Sequence, residues 1–418
     1  ETRADGTSSS WSYSACGTGC YKITATATGS PTSSVSYNSL GREWLRETQG
    51  FNGQYVYVGT QYDTLGRVAT TSRPNSIPYQ YKTSYSYDLL GRLVVETKPT
   101  NLTTQYTYQG LSTTVKVSGV LPGGSQSTTQ IKNSQGQLVQ AIDAAGNSTA
   151  YSYDPFGNLV KVVDAKSNIL TMGYDLRGRK TSMIDPGMGS WIYQYNVLGE
   201  LTYQLDAKNQ AVTMVYDVLG RLTQRTEPEG IGRWGYASCV DGKGKPATVT
   251  GPGGYARSYV YDGLGRPVRV STTINATTYL MDTGYDAVGR VASTAYPTAN
   301  GARFTVYTQY NATGYLAAVT NSAGFVYWQA NARDAEGHLL QETLGNGLVT
   351  TRSYNVASGA ISIIRTGATN NVQKLNYAFD YLGNLQSRND AIQNTTETFG
   401  YDILNRLTSV RGPPPKTY

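Results

Sequence analysis

The sequence has very few of the residues from which catalytic and metal sites are usually built. Its 418 residues include one histidine and three cysteines, and only 15% are charged. A Ser-His-Asp or Cys-His site would have to use His338, and no Gly-x-Ser-x-Gly segment is present to support one. A tetrahedral zinc site needs four ligands, and the Cys16/Cys20 pair could add only Cys239 and His338. We therefore expect no catalytic residue, no cofactor, no metal and no enzyme activity, and we interpret His338 as a solvated turn residue.

Long apolar runs and clusters of basic residues are also absent. No segment approaches the ~18 consecutive apolar residues of a membrane-spanning helix, so we expect no membrane span. The formal net charge of +7 is spread over the whole chain, and many of the arginines belong to the repeated turn motif described below. A nucleic-acid surface would need a basic patch, so we expect no nucleic-acid partner.

The local cysteine pair stands in Cys16-Gly17-Thr18-Gly19-Cys20. In an oxidising compartment the two thiols would close a small disulfide loop. Two free thiols in a glycine-rich turn are the alternative, and half of a metal site is a third. The sequence leaves the redox state of Cys16, Cys20 and Cys239 open.

What the sequence does have is one short motif, repeated many times. The motif is an aromatic residue, Asp or Asn, two variable residues, Gly, and often Arg followed by a β-former. We call it the Tyr-Asp turn. Copies begin at Tyr37, Tyr62, Tyr87, Tyr153, Tyr174, Tyr195, Tyr216, Tyr261, Tyr285, Tyr310, Phe379 and Tyr401. The spacing is mostly 21 to 25 residues, which indicates an array of small supersecondary units.

The Tyr-Asp turn predicts a tight β-hairpin connection. Asp at the first turn position accepts backbone N–H bonds, and Gly at the fourth adopts a positive φ. We assign five copies as structural repeat turns. They are Tyr62, Asp63, Gly66, Arg67; Tyr87, Asp88, Gly91, Arg92; Tyr174, Asp175, Gly178, Arg179; Tyr216, Asp217, Gly220, Arg221; and Tyr261, Asp262, Gly265, Arg266. We expect the arginine to bond turn carbonyls or the Asp of a neighbouring unit.

The segments between these turns read as strands. Aromatic residues at i and i+2, as in Tyr193 and Tyr195, lie on one face of a strand. A second turn, such as Asp143–Asn147, stands about midway between consecutive Tyr-Asp turns, and we call it the mid-repeat turn. Turns every ~10 residues with alternating runs between them indicate antiparallel hairpins, and no segment has a sustained helical period. The predicted fold class is all-β, a long meander.

Tyrosine is far more abundant than the other aromatic residues. The chain has 35 tyrosines against six phenylalanines and five tryptophans. A tyrosine half-buried on a sheet packs its ring and keeps its hydroxyl hydrogen-bonded or wet. This composition suits a sheet with water on both faces, although tyrosine is also simply a good β-former.

The repeated Tyr-Asp-x-x-Gly-Arg-Leu motif, interleaved with Pro/Gly turns, resembles the RHS/YD-repeat family. That family includes bacterial Rhs polymorphic toxins, the B and C components of Tc toxin complexes and the teneurin ectodomain. The resemblance implies hairpins that wind in a wide spiral sheet into a hollow shell, which in the bacterial toxins encloses a C-terminal toxin. The segment from Trp328 to Gly347 is more similar to the bacterial branch.

The resemblance covers residues 37–418, and residues 1–36 read as degenerate leading strands that carry the Cys16/Cys20 loop. We expect one repeat array over 1–418 and an internal piece of a longer polypeptide, because the aspartyl self-cleavage stretch and the toxin domain of complete members are missing. Asp154-Pro155-Phe156-Gly157 matches part of that stretch but lies in register with the repeat, so we expect an ordinary turn.

The function implied is structural: a segment of a β-shell that encapsulates and delivers a toxin, in a secreted or cell-surface bacterial protein. Its partners would be the enclosed toxin domain or other RHS segments of the same polypeptide. The alternative is an extracellular YD-repeat fibre or adhesin whose Tyr-rich face binds glycans or a partner surface.

Overall fold

The computed structural model describes residues 2, 7–119, 124–238, 240–299 and 301–412. Within these residues the regular structure is 36 β-strands and two short 3-10 segments, Val240–Gly242 and Pro252–Gly254, with no α-helix. The all-β prediction is therefore confirmed. Cys239 lies outside the described residues.

The strands follow one another closely along the chain. The first twelve are β1 (Ser9–Gly17), β2 (Cys20–Ala27), β3 (Ser33–Tyr37), β4 (Glu43–Gln49), β5 (Tyr55–Tyr62), β6 (Val68–Ser72), β7 (Lys82–Tyr87), β8 (Leu93–Thr97), β9 (Thr103–Gln109), β10 (Ser112–Ser118), β11 (Ser125–Lys132) and β12 (Leu138–Ile142). The next twelve are β13 (Ser148–Tyr153), β14 (Leu159–Val163), β15 (Ile169–Tyr174), β16 (Lys180–Asp185), β17 (Gly189–Tyr195), β18 (Leu201–Leu205), β19 (Ala211–Tyr216), β20 (Leu222–Glu227), β21 (Gly230–Tyr236), β22 (Pro246–Thr250), β23 (Ala256–Tyr261) and β24 (Pro267–Ile274). The last twelve are β25 (Thr277–Tyr285), β26 (Val291–Ala299), β27 (Ala302–Tyr310), β28 (Leu316–Thr320), β29 (Val326–Arg333), β30 (Leu339–Leu344), β31 (Val349–Tyr354), β32 (Ile361–Thr366), β33 (Gln373–Phe379), β34 (Leu385–Asp390), β35 (Thr395–Tyr401) and β36 (Leu407–Arg411).

The topology is a meander in which successive strands pair antiparallel. Tyr-Asp turns join most odd-numbered strands to the next even-numbered one, as between β15 and β16, and mid-repeat turns join even to odd, as between β16 and β17. The exceptions include β1–β2, joined by the Cys16/Cys20 loop, and β9–β10, joined by Gly110 and Leu111. The two kinds of turn therefore lie at opposite ends of the strands. We call these ends the Tyr-Asp border and the mid-repeat border.

The same irregularity recurs at the Tyr-Asp border. Met172 pairs with Met183 and Gly173 with Ser182, but Tyr174 then pairs with Lys180, so one residue is skipped. This is a β-bulge next to a turn glycine of positive φ, the arrangement expected of a type I turn followed by a left-handed residue. It increases local twist and points the arginine side chain along the border rather than across the hairpin.

The chain forms two compact units. Unit 1 comprises the described residues of 1–129, 286–290 and 306–418, and unit 2 those of 130–285 and 291–305. The expectation of a single array over 1–418 stays a prediction. In unit 1, contacts join residues more than 250 positions apart, whereas the side-chain hydrogen bonds described in unit 2 join residues of the same or adjacent hairpins.

Few side chains of this fold are fully buried. Among the described residues the buried apolar side chains are Leu102, Ala318 and Ala330, and several of the other buried residues are serines and threonines. Strands such as β8, β14 and β18 are half-buried on both faces, whereas in β7, β17 and β19 half-buried residues alternate with exposed ones. Stability must therefore come from cross-strand packing, the hydrogen-bonded ladder and the turn contacts.

Candidate functional site

The functional element that the sequence predicts is the Tyr-Asp turn, and Tyr174–Arg179 shows its geometry. The N–H of Gly178 donates to the carbonyl of Asp175 at 3.0 Å, and Gly178 has φ 74. The Asp175 Oδ1 atom accepts the N–H groups of Arg177 at 2.9 Å and Arg179 at 3.0 Å. The Asp side chain thus fixes the loop by replacing water on two backbone donors.

The other four assigned turns have the same geometry. Their glycines have positive φ: Gly66 81°, Gly91 77°, Gly220 75° and Gly265 72°. Their Asp Oδ1 atoms accept the N–H of the arginine: Asp63 from Arg67 at 2.9 Å, Asp88 from Arg92 at 2.9 Å, Asp217 from Arg221 at 3.0 Å and Asp262 from Arg266 at 2.9 Å.

The arginine after each turn glycine connects two neighbouring hairpins. Arg179 Nη2 lies 2.6 Å from Oδ2 of its own Asp175, and Nη1 donates to the carbonyl of Asn196 in the next Tyr-Asp turn at 2.9 Å. Its Cζ atom stands 5.0 Å from the ring centroid of Tyr195. Of the two alternatives expected for this arginine, bonding to turn carbonyls is the one found here. The carboxylate that it pairs with is that of its own turn, because the four-residue loop brings the guanidinium back to it.

The same stacking recurs along the border. The arginine–tyrosine pairs include Arg67 on Tyr87 at 4.6 Å, Arg92 on Tyr108 at 4.2 Å, Arg221 on Tyr236 at 4.2 Å and Arg266 on Tyr285 at 4.3 Å. Each contact joins one hairpin to the next by a cation–π interaction.

The motif tyrosine completes the link between hairpins through its hydroxyl. Tyr195 Oη donates to the carbonyl of Lys180, the residue after Arg179, at 2.9 Å. The assigned tyrosines do the same: Tyr62 to Glu43, Tyr87 to Val68, Tyr174 to Leu159, Tyr216 to Leu201 and Tyr261 to Pro246, at 2.6 to 3.0 Å. Burial raises the pKa of Tyr195 and Tyr216, which favours the neutral donor. Sequence reasoning missed this acceptor, because the carbonyl lies 15 to 19 residues away and no side chain marks it.

The turn carboxylates are held in the ionised form. The side-chain hydrogen bond from Arg179 lowers the pKa of Asp175, and that from Arg221 lowers the pKa of Asp217. The backbone N–H of Arg67 lowers the pKa of Asp63. At Asp88 and Asp262, desolvation raises the pKa, but hydrogen bonds from the arginines outweigh it and the net shift is downward.

His338 follows Gly337 in a degenerate copy of the Tyr-Asp turn, residues 334–337, and so stands where other copies have arginine. Its Nδ1 atom lies 2.9 Å from Asp334 Oδ2, and its ring stacks on Tyr354 with centroids 4.5 Å apart and an interplanar angle of 17°. The imidazole therefore takes the structural place that arginine takes elsewhere. Within the described part of the chain, no group of three or more His, Cys, Asp or Glu side chains is arranged to hold a metal ion.

The cysteine pair and the Asp-Pro segment both lie in turns. Cys16 and Cys20 are joined by a disulfide at the turn between β1 and β2. Asp154–Gly157 is a Tyr-Asp turn like the others, with Gly157 at φ 91 and the N–H of Phe156 donating to Asp154 Oδ1 at 2.9 Å. None of the helical segments described is long and apolar enough to cross a membrane.

Unit 1 contains a second structural element, in which the Tyr-Asp border of one row of hairpins packs on the mid-repeat border of another. We call this contact the seam. Its hydrogen bonds run from Arg290 Nη1 to Gly29 O at 2.9 Å, Asn311 Nδ2 to Phe51 O at 2.7 Å, Tyr315 Oη to Gln49 O at 3.0 Å, Arg73 Nη2 to Glu336 Oε2 at 2.6 Å, Tyr381 Oη to Gly124 O at 2.8 Å and Gln126 Nε2 to Asn405 Oδ1 at 2.9 Å.

The seam follows a rule. Residues 29–126 contribute mid-repeat turns, chiefly through backbone carbonyls, and residues 290–405 contribute Tyr-Asp turns, chiefly through side-chain donors. Small residues let the two borders approach: a Cβ added to Gly29 would lie 2.7 Å from a methyl group of Val288. The repeated turn is therefore also an assembly element, because it connects rows as well as hairpins.

Comparison with known proteins shows which family model and which solved structures this chain is similar to. The family model of the RHS repeat matches residues 133–169. The crystal structure of TcdB2-TccC3 matches with a TM-score of 0.78 at 15% identity, over 97% of this chain and 28% of that one. TcdB2-TccC3 without its hypervariable C-terminal region gives 0.79 at 16% identity, over 94% of this chain and 24% of that one. The Photorhabdus luminescens Tc holotoxin pore gives 0.76 at 15% identity, over 94% and 26%.

These likenesses establish a shared fold, and the chain spans about a quarter of the length of these structures. No curated protein matches the sequence.

Proposed function

We propose that the chain, whose residues 133–169 match the RHS-repeat family model, is an RHS-repeat wall segment of an exported bacterial shell that encloses a toxin domain. On this proposal it has no catalytic activity of its own, and its partners are the enclosed domain and further RHS segments. The protein that contains it acts outside the producing cell or at its surface.

The observation that carries the proposal is the seam of unit 1. Side-chain donors of one hairpin row bond to carbonyls of another row more than 250 residues away. Rows joined in this way extend a sheet in a second direction, which a wall requires and a simple fibre does not. The fold shared with TcdB2-TccC3 over 94% of the chain supports the same function.

The turn chemistry also suits a wall. Each Tyr-Asp turn is fixed by its own Asp and linked to the next hairpin by an arginine and a tyrosine. The array therefore resists bending at its turns without needing a packed core. A wall must hold its shape while both faces meet water or unfolded cargo.

A protease-protection experiment tests the proposal on the full open reading frame that contains this chain. We expect any non-repeat domain after the repeats to resist trypsin in the wild type. It should become cleavable in a variant with Gly178→Val and Gly220→Val, which opens two turns. Equal cleavage of that domain in both proteins, at the rate of an unfolded peptide, would contradict encapsulation.

An adhesin that binds glycans is the second candidate function. It is favoured by the β1–β2 hairpin, where Trp11 and Tyr13 are 54% and 74% exposed and lie on one face of β1. Exposed aromatic faces stack on sugar rings. A glycan array probed with the wild type and with Trp11→Ala would support this function only if the variant lost a signal that the wild type gives.

A further inference from the structure

The connection between β6 and β7 in unit 1 is long for a mid-repeat turn and has an unusual backbone. It comprises residues 73–81, whereas the β14–β15 connection comprises only 164–168. Tyr79 and Tyr81 have φ 61 and φ 49, while the other described residues with a positive φ are glycine, asparagine, serine or alanine. An aromatic residue in the left-handed region holds backbone strain that the surrounding structure must impose. We call residues 73–81 the strap.

The far end of the strap is held on strands β4 and β5. The Tyr79 ring lies on Gly59 of β5 so closely that a Cβ at Gly59 would overlap with it. Gly59 is buried and has no positive φ, so glycine makes room for the ring here rather than for a left-handed backbone. The Tyr79 hydroxyl donates to the carbonyl of Trp44 at 3.1 Å. Asn75 and Tyr57 exchange two backbone hydrogen bonds, at 2.8 and 3.1 Å.

The near end of the strap lies in the seam. Arg73 Nη2 lies 2.6 Å from Glu336 Oε2. A Cβ at Gly359 would lie 3.0 Å from that carboxylate oxygen and would overlap with the Arg73 guanidinium, so the ion pair fills the space beside two neighbouring Tyr-Asp turns. Residues 74–76 line a cavity of about 190 Å³ together with residues of both turns. The strap therefore connects the seam to the sheet face of its own row.

We propose that the strap is a conformational latch, which the closed seam holds in its strained form. With the seam closed, the ion pair at Arg73 and the turns around residues 74–76 fix the near end, and Tyr79 is held on Gly59. When the two rows separate, the Arg73 anchor is lost and the left-handed tyrosines favour release of the strap from β5. Closing the seam again must restore both strained tyrosines, so a released strap opposes it. The strap thus has two discrete states, as a switch element requires.

Limited proteolysis with chymotrypsin under native conditions measures the population of released strap. Chymotrypsin cleaves after tyrosine, and the rate of cleavage after Tyr79 and Tyr81 follows the population of the open form. Gly59→Ala takes away the space for the Tyr79 ring, so we expect cleavage in the strap about tenfold faster than in the wild type. The matched control is Gly173→Ala, another strand position, where the added Cβ meets the rotatable hydroxyl of Ser182. Its strap should be cleaved at the wild-type rate.

Two further variants separate the seam anchor from the backbone strain. Glu336→Ala removes the anchor of Arg73, and we expect strap cleavage roughly fivefold faster than in the wild type. Tyr81→Asn, made in the Glu336→Ala background, places a residue that tolerates positive φ at a strained position. Cleavage after Tyr79 should then be roughly fivefold slower than in Glu336→Ala alone.

Mass spectrometry identifies the cuts within the strap, and circular dichroism checks that each variant keeps the wild-type fold. Strap cleavage at the wild-type rate in Gly59→Ala or in Glu336→Ala would overturn the proposal, and so would Tyr81→Asn that fails to slow the cut after Tyr79. The inference goes beyond the proposed function, because the latch acts within the seam whether or not a domain is enclosed. Failure here and failure of encapsulation are therefore separate results.

Discussion

At the scale of single residues, two features favour glycine at the fourth turn position, as Gly220 shows. Gly220 has φ 75, in the left-handed region that a β-branched residue strongly resists. A Cβ at this position would also lie 3.0 Å from Oε1 of Glu200, the residue that occupies the arginine position of the preceding repeat. Glycine thus adopts the positive φ without strain and leaves room for the side chain of Glu200.

We predict that Gly220→Val lowers the free energy of unfolding by roughly 1–2 kcal/mol because of the left-handed backbone. Gly220→Asn should cost clearly less, since Asn405 holds the equivalent position of its own turn at φ 60. Urea denaturation of the three proteins measures both differences. A Val variant as stable as the Asn variant would show that backbone conformation does not control this position.

The turn carboxylates predict a dependence of stability on pH. The hydrogen bond from Arg179 lowers the pKa of Asp175 below its ordinary 3.8. A group with a lowered folded-state pKa stabilises the fold above its unfolded pKa, and this contribution is lost as pH falls through the folded value. Stability should therefore decrease below about pH 4.

Asp175→Asn separates the charge from the turn geometry. Asn fills this position in the turn at Asn196, where its Oδ1 still accepts two backbone N–H groups. We expect a lower melting temperature than wild type at pH 7 and a difference that shrinks below pH 4, because the Asp175 carboxylate is protonated first in the unfolded state and, as the pH falls further, in the folded state as well. A difference that stays constant from pH 7 to pH 3 would contradict the ionic contribution.

Much of this residue-scale structure could be predicted from the sequence. Asp and Gly three residues apart specify the turn, because few residues supply a short acceptor and a positive φ. The arginine's ion-pair partner could not be assigned, since own-turn and neighbouring-turn carboxylates are equally frequent in a repeated motif. Only the three-dimensional path of the bulged strand decides between them.

At the scale of the hairpin, the Tyr-Asp turn stabilises the strand pairing on either side of it. Tyr195 bonds Lys180 O of the preceding Tyr-Asp hairpin, and Arg179 stacks on the Tyr195 ring and bonds Asn196 O. Each repeat thus contacts its neighbour through backbone carbonyls, the tyrosine ring and the arginine guanidinium. The hairpins themselves could be predicted from alternation and turn spacing, but these links could not, because backbone carbonyls carry no sequence signal.

Tyr195→Phe tests the hydroxyl link. It removes the bond to Lys180 O at 2.9 Å and keeps the ring under Arg179, so we expect a loss of about 0.5–1.5 kcal/mol of unfolding free energy. Tyr193→Phe is the matched control two residues earlier on β17, because no hydrogen bond of the Tyr193 hydroxyl is found among the described residues. Thermal unfolding of the two variants should differ, and equal melting temperatures would contradict the role of the hydroxyl.

At the scale of the whole molecule, the two units differ in how far their contacts reach along the chain. In unit 2 the described hydrogen bonds join the same or adjacent hairpins, as in a one-dimensional repeat array. In unit 1 the seam joins residues 257 to 279 positions apart. The sequence predicts the array, since periodicity is local, but not the seam, because which rows meet depends on the accumulated twist and curvature of many hairpins.

Because the seam joins residues far apart in the sequence, a substitution at one border should change the local stability of the other border. Glu336 Oε2 lies 2.6 Å from Arg73 Nη2 across the seam, and the Arg73 Nε atom is buried without a hydrogen-bond partner among the described residues. Removing the carboxylate leaves a half-buried guanidinium without its charge partner, which loosens both borders. Glu336→Ala should therefore accelerate native-state hydrogen exchange near Arg73 as well as in its own turn, 334–337.

The control is Glu200→Ala in unit 2, where Glu200 Oε2 accepts only a local hydrogen bond from Asn196 Nδ2 at 2.5 Å. Because exchange reports local and sub-global opening, its effect should stay within the turn 196–199 and the adjacent hairpins. Mass spectrometry of exchange at a denaturant concentration below the unfolding midpoint resolves the two patterns. If Glu336→Ala accelerates exchange only around 334–354 and leaves the segment around Arg73 unchanged, the two rows are not energetically coupled through the seam, and the structural basis for a wall built of mutually supporting rows is lost.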